Sequence, residues 1–186
     1  RFWTIRAKHI ILGTGSLERH IAFNNNDVPG MMTANAAKHY LNRYGVLSGQ
    51  EIVISTNNDS VYTTANELAK AGSKVHIIDA RNTISQDIIE SAKKSGIEVS
   101  LGTTPFNING RKKIDSLDVA EHDGQKYNKV NQIKCDLVLV SGGWSPTVHL
   151  LSHRGARPIW DSVNLCFLPN EIQEPITVTG SASGVW

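Results

Sequence analysis

Cysteine is scarce in this chain. Cys135 and Cys166 are the only two, far apart and both in apolar, strand-like surroundings. That pattern excludes a disulfide framework and predicts buried, reduced thiols of the kind kept in the cytoplasm. No apolar run approaches the length of about 18 residues at which a membrane span becomes plausible, and no secretory leader is recognisable. Neither sign of charge dominates: 19 Lys and Arg against 17 Asp and Glu leave a net charge of +2. The charges are scattered, which gives no footprint for a nucleic acid or a membrane surface. The one basic cluster, Arg111-Lys112-Lys113, reads as a solvated turn. No serine, cysteine or lysine stands in a nucleophile motif, and the seven histidines show no pairing. The chain therefore carries no complete active site, and no catalytic residue is assigned. His149 and His153 have a spacing that can place two metal ligands on one helix face, but no acid or cysteine completes a set and Gly155 follows at once. Asn58-Asp59-Ser60 spells a glycosylation sequon, which carries no weight without a leader.

An initiator methionine is also lacking, since the first residue is Arg1. RFWTIRAKHI reads like the middle of a sheet, and ITVTGSASGVW ends just past a strand and a glycine-rich turn, where an α/β fold should continue. Both ends predict a piece of a longer protein. Its 186 residues still suffice to bury a sizeable core.

What is present is organised around Gly49–Arg81. Glu51–Ser55 is an apolar strand, Thr56–Asp59 a tight turn, Ser60–Ala71 a helix stopped by Gly72, and Lys74–Ile78 a second strand closed by Asp79. Val61, Ala65, Leu68 and Ala69 repeat at the helical period and give one apolar face. This is a βαβ unit, whose strands should run parallel with the first turn facing the ligand crevice. A dinucleotide site needs glycines at that turn so that the backbone can approach the pyrophosphate. Here the glycine positions of G-x-G-x-x-G fall on Thr56, Asn58 and Val61, and Asp59 adds a negative charge. Asp79 nevertheless stands about 20 residues on, where a ribose-binding acid belongs. Thr56, Asn57, Asn58 and Asp79 are thus the candidate cofactor-binding residues of this unit, against the alternative that it is kept only for its packing.

Ahead of this unit, Arg1–Arg6 alternates like a half-wet strand, Ala7–Leu12 reads as a buried strand ending in Gly13-Thr14-Gly15, Ser16–Asn26 as a loop and Thr33–Tyr44 as a helix stopped by Gly45. After it, Thr83–Gln86 has capping-box spacing for a helix running to about Ser95, and Ile97–Leu101 is a third strand. Asn107–Val130 breaks into short alternating stretches with Asn109-Gly110 and Asp123-Gly124 as hairpin turns, a β-meander. Asp136–Val140 is a strand leading into the Gly142-Gly143 turn, Val148–Leu151 is a short helical stretch, and Ile176–Val178 is the last strand before Gly180–Gly184. The fold class is α/β.

Three glycine-rich turns frame the inner unit, an arrangement that resembles the two-dinucleotide-domain flavoprotein disulfide reductases. On that resemblance an inner NAD(P)-type, Rossmann-like domain with its β-meander (46–134) is flanked by incomplete pieces of an outer FAD/NAD-type domain, 1–45 with a linker helix and 135–186. The outer pieces are expected to pack irregularly or to pair between chains. The stretches IILGTGSLERHIAFNNNDVPGMM, AAKHYLNRYGV, STNNDS and LVSGGWSPTVHLLSHRGARPIWD further resemble the alpha-subunit family of heterotetrameric sarcosine oxidases. That resemblance implies a scaffold and cofactor-flanking piece of an oxidoreductase that demethylates sarcosine to glycine, forming hydrogen peroxide and passing the one-carbon unit to tetrahydrofolate. It implies partner subunits, chiefly beta, with FAD and FMN chemistry placed on beta and at the alpha–beta boundary. NAD is then expected in the outer domain, with help from Gly13, Thr14, Gly15, Gly180 and Ser181, because the inner fingerprint is TNNDSV. Ser181 stands where a flavin-binding relative has the aspartate that holds the ribityl chain, so no redox-active FAD is expected here. The competing readings are a self-sufficient NAD-dependent reductase domain and a pure interaction module presenting Thr33–Tyr44 and Val148–Leu151.

Overall fold

The structure is a computed structural model that describes residues 1–122, 127–170 and 173–186. Asp123-Gly124, expected to turn the second hairpin, lies outside the described residues. In chain order the elements are β1 (Ile10–Leu12), β2 (Ser16–Glu18), β3 (Met31–Thr33), α1 (Ala34–Tyr44), β4 (Glu51–Thr56), α2 (Ser60–Lys70), β5 (Lys74–Asp79), α3 (Gln86–Lys94) and β6 (Glu98–Leu101). There follow β7 (Thr103–Gly110), β8 (Ile114–His122), β9 (Tyr127–Lys134), β10 (Leu137–Ser141), β11 (Trp144–Pro146), α4 (His149–Ser152), β12 (Ile159–Asp161), β13 (Cys166–Leu168), β14 (Ile176–Val178) and a 3-10 turn at Gly180–Ser183. They fall into two compact units, Arg19–Gly143 and a discontinuous one made of Arg1–Glu18 and Trp144–Trp186.

The Arg19–Gly143 unit holds the parallel sheet, in the order β3-β10-β4-β5-β6. Its strands are apolar on both faces because both faces are covered, as parallel sheets require. On one face Ile52, Ile54, Val75, Ile77, Leu137 and Leu139 pack with Val61, Ala65 and Leu68 of α2 and Ala34 and Ala37 of α1. On the other, Val53, Ile78, Val138 and Val140 pack with Ile108, Ile114 and Leu117 of the antiparallel sheet β7-β8-β9. Each fully buried Ile or Leu contributes about 1.5–3 kcal/mol. The Thr33 side chain caps α1 by accepting from the Ala36 N–H (3.3 Å), and Gly45, left-handed at φ 65°, closes it by donating to the Leu41 carbonyl. At the two ends of the unit, the Arg19 N–H donates to the Gly143 carbonyl (2.9 Å) and the Gly142 N–H to the Arg19 carbonyl (2.8 Å). Gly143 is favoured there because its backbone is left-handed at φ 93°.

The helix–strand alternation from Glu51 to Leu101 forms as the periodicity predicts, with several differences around it. Helix α1 and strand β10, expected to belong with the outer pieces, pack in the sheet unit, so the expected divisions at 45/46 and 134/135 both fall inside Arg19–Gly143. The reason is legible in β10: Leu137–Val140 are all buried, as in a strand with neighbours on both sides. Thr83 does not cap α3; the capping position is Ser85, with no side-chain cap bond. The first meander turn runs through Arg111-Lys112-Lys113 after β7 rather than at Asn109-Gly110, which remain in the strand.

In the other unit, β1 pairs with β14 in parallel, β2 with β11 antiparallel and β12 with β13 antiparallel. The outer pieces thus pair with each other. Arg1–Arg6 is not a strand, because alternation sets a wet and a dry face but no neighbour supplies a ladder; Phe2, Trp3 and Ile5 are exposed. Ile10 and Ile11, expected buried, are exposed on β1. Ser16–Glu18, expected as loop, becomes β2 through its pairing with Trp144–Pro146.

Candidate functional site

The carboxyl ends of three neighbouring strands place Ser141, Thr56 and Asp79 side by side in register. All three are fully buried. This is the crevice edge to which ligands come in open α/β sheets. In the turn that follows β4, the Asn58 N–H donates to Thr56 Oγ1 (3.1 Å). The Asn58 carboxamide folds back over the strand ends, where its Nδ2 donates to the Ser141 carbonyl (3.1 Å) and to Ser141 Oγ (3.2 Å). Its Oδ1 accepts from the Ser60 N–H (3.2 Å) and from Ser60 Oγ (2.6 Å). The first amide of α2 is therefore bonded by a side chain of its own turn. Asn57 is exposed.

Asp79 is equally engaged. Its Oδ2 accepts from the Tyr62 hydroxyl (2.9 Å) and Arg81 Nη2 (2.8 Å), and its Oδ1 from the Arg81 N–H (2.9 Å) and Nε (3.0 Å). Arg81 Nη1 reaches the exposed Asp59 carboxylate at 2.7 Å. Burial, then the neighbouring Asp79 charge, pushes the Tyr62 phenol well above its ordinary value. Hydrogen bonds to Asp79, and next those to Asp59, hold the Arg81 guanidinium in its charged form against the opposing effect of burial. Two carboxylates and one guanidinium leave the edge formally negative at pH 7. Sequence reasoning missed Tyr62, Arg81 and Ser141. The available signals were a tyrosine on the buried side of α2, whose hydroxyl requires a partner, and an arginine two residues beyond a strand-end acid.

Tested against a pyrophosphate, this turn does not fit. The Asn58 carboxamide fills the place between the strand end and the helix, Asp59 brings like charge, and the carboxylate expected for a ribose is buried under its own partners.

The candidate residues of the other unit come together. Leu12 pairs with Val178, and the Thr179 N–H donates to the Leu12 carbonyl (3.0 Å), so the Gly13-Thr14-Gly15 and Gly180-Ser181 turns leave adjacent strand ends. A Cβ on Gly13 would meet Thr179 Cγ2, and one on Gly15 would meet Ser181 Oγ, each at 3.9 Å. The Thr14 hydroxyl donates to the Thr147 carbonyl (3.1 Å), and the Thr147 N–H returns to the Gly15 carbonyl (3.0 Å). Gly15 (φ 73°) and Gly180 (φ 65°) adopt left-handed backbone that favours glycine, and no atom stands within 4 Å of where a Gly180 Cβ would be. Two parallel strand ends thus carry glycine backbone side by side, with open space beside Gly180.

His149 and His153 sit at either end of the one-turn α4. Among the described residues no group of three or more His, Cys, Asp or Glu converges to hold a metal. Among the described residues no helix is long and apolar enough to cross a membrane. Cys135 and Cys166 are free thiols, both buried, as expected.

Residues 3–159 match the family model described as pyridine nucleotide-disulphide oxidoreductase. The sarcosine oxidase subunit alpha of Corynebacterium sp. (strain P-1) is 37% identical over 191 residues, covering 100% of this chain and 19% of that protein. The corresponding subunit of Rhizobium meliloti (strain 1021) is 37% identical over 184 residues, covering 98% of this chain and 18% of its own length. The chain thus spans under a fifth of these curated relatives. A crystal structure of T. acidophilum thioredoxin reductase is similar in fold, with a TM-score of 0.72 at 16% identity over 95% of this chain and 58% of that one.

Proposed function

Because the chain belongs to the pyridine nucleotide-disulphide oxidoreductase family, we propose that it is the scaffold and cofactor-flanking segment of a sarcosine oxidase alpha subunit. The observation that carries this reading is 37% identity along the whole chain to relatives of that name. The intact cytoplasmic enzyme converts sarcosine, oxygen and tetrahydrofolate to glycine, hydrogen peroxide and the folate carrying the one-carbon unit. This segment contributes no catalytic residue. Gly13, Thr14, Gly15, Gly180 and Ser181 would flank a bound NAD, with the hydride transfer itself lying elsewhere in the complex. Support comes from the bare backbone at Gly13, Gly15 and Gly180 and from the open space beside Gly180. Ser181 cannot act as an acid toward a flavin ribityl chain, so FAD and FMN belong to the rest of the complex. Partner subunits, chiefly beta, meet apolar surface of the kind exposed at Ile11, Leu150 and Trp160.

The test is a chimaera in which this chain replaces the matched segment of the Corynebacterium alpha subunit, purified with its partner subunits. We expect sarcosine-dependent peroxide formation and bound NAD, with Gly180→Val lowering NAD content because the left-handed backbone disfavours a β-branched residue and the side chain fills the open space. Assembly with full NAD content in Gly180→Val would refute the assignment of NAD to this unit. Peroxide formation by the chain on its own would favour a self-sufficient reductase.

A further inference from the structure

We infer that the strand-end crevice of the Arg19–Gly143 unit is filled from within, its own side chains standing in for a nucleotide. The turn keeps the geometry that normally admits a phosphate: a parallel strand, β4, leads through three residues to the first turn of an eleven-residue helix, α2. The Ser60 amide and the Arg81 guanidinium, two groups such an anion would engage, are already bonded. The Asn58 carboxamide spans the gap, its Oδ1 accepting from the Ser60 amide at the start of α2 while its Nδ2 donates to the end of β10 at Ser141. Asn58 is thus an internal ligand that ties two strand ends to a helix, and it carries no charge to be exchanged.

The same substitution of protein for ligand holds at the neighbouring strand. In a nucleotide unit the acid at the end of the second strand faces a sugar hydroxyl. Here Asp79 is fully buried and accepts four hydrogen bonds from Tyr62 and Arg81. Arg81, the group best suited to bind a phosphate, is drawn to Asp79 on one edge of its guanidinium and to Asp59 on another. An entering anion would have to displace Asn58, overcome Asp59 and detach Arg81 together. The unit is therefore a strut, with its former crevice turned into a polar lock, and this conclusion does not depend on where NAD binds in the other unit.

The experiment follows backbone amide resonances of the full chain during titration with ADP. In the unsubstituted chain no saturable shift is expected at Asn57, Ser60, Arg81 or Gly142 up to millimolar ADP. In the double variant Asn58→Gly, Asp59→Gly, the α2 amide loses its internal acceptor and Arg81 Nη1 is released, so shifts appear at Ser60 and Arg81. Removing one like charge and freeing one guanidinium edge near the surface corresponds to a gain of about tenfold in affinity or more. Unshifted amides at Ile54 and Ile77 report that the variant remains folded. Saturable shifts at Ser60 and Arg81 in the unsubstituted chain would overturn the inference, and so would a folded variant that stays as silent as its parent. Shifts confined to Gly13–Gly15 and Gly180 bear only on the NAD assignment, so the two readings fail separately.

Discussion

Replacing Asp79 by alanine removes the carboxylate on which the polar lock closes, and its effect follows from the fate of the partners. The Tyr62 hydroxyl, on a residue only 5% exposed, is left without an acceptor, which costs about 1–3 kcal/mol. Arg81 is different, because its side chain is 31% exposed and it keeps Asp59 at 2.7 Å. Severing a fully buried ion pair costs about 3–5 kcal/mol, but solvent and the remaining partner reduce the Arg81 share to about 1–2 kcal/mol. Together Asp79→Ala should destabilise the Arg19–Gly143 unit by about 3 kcal/mol. Tyr62→Phe, which removes the hydroxyl but keeps the ring, should cost about 1.5 kcal/mol. The two changes should be sub-additive by about 1 kcal/mol, since the second no longer strands the first group's partner. Urea unfolding followed by far-ultraviolet circular dichroism measures this; with a slope of about 2 kcal/mol/M, Asp79→Ala lowers the midpoint by about 1.5 M. Tryptophan fluorescence is the wrong probe, because Trp3, Trp144, Trp160 and Trp186 all lie in the other unit. A loss below about 0.5 kcal/mol for Asp79→Ala, or strict additivity with Tyr62→Phe, would refute the reasoning.

Three further outcomes are expected. His76 lies half-buried, with its ring 2.8 Å from Ser100 Oγ and 3.4 Å from Glu98; burial holds its pKa below the ordinary 6.5, the Glu98 charge opposing and Lys74 assisting. Below pH 6.5 the unfolded chain takes up a proton that the folded ring refuses, so stability falls as pH drops through that value and this part of the loss is absent in His76→Gln; urea midpoints at several pH values decide it. Burial, followed by the charges of Asp136 and Glu51, pushes the Cys135 thiol up to about 12, so an aromatic disulfide reagent should leave it unmodified in the native state and react at a rate that tracks unfolding. A Cβ on Gly49 would stand 2.6 Å from Leu137 Cβ and 2.9 Å from Asp136 Oδ1, and that carboxylate accepts from the Gln50 and Glu51 amides. Gly49→Ala should therefore cost about 1–3 kcal/mol by overpacking, read as a lowered unfolding temperature.

Strands β4, β5, β6 and β10 of the parallel sheet were legible in the sequence because their signals are local, whereas Met31–Thr33, read as a break and a helix start, was not. Runs such as Ile52–Ile54, the α2 stripe Val61, Ala65, Leu68, and stops such as Gly72 each declare an element within a dozen residues. What joins distant segments was not legible. Leu137–Val140 announces a buried strand but not that its neighbours are Met31–Thr33 and Glu51–Thr56, so the unit that β10 joins is not legible from it. Arg1–Arg6 shows a strand's alternation without a partner to make it one. At the crevice, the loss of glycines at Thr56 and Asn58 was plain, and Asp79 stood at the expected position. That Asn58 reaches Ser141 and that Tyr62 and Arg81 close on Asp79 depends on spacings of 83 and 17 residues and on side-chain direction, which no periodicity encodes.

The cross-bracing of Arg19 against Gly142 and Gly143 bears on how such a chain could arise. A segment whose entry and exit are hydrogen-bonded to each other presents its host with a gap no wider than an ordinary hairpin, so it behaves as a portable cassette. Bridging that gap with a short linker would demand little loop-closure entropy. Lifting residues 19–143 out, or moving the chain's opening to a turn such as Arg111–Lys113, would leave every strand of the parallel sheet with its neighbours. The contiguous segment and the compact unit then coincide, which is the condition under which insertion of one domain into another leaves both able to fold.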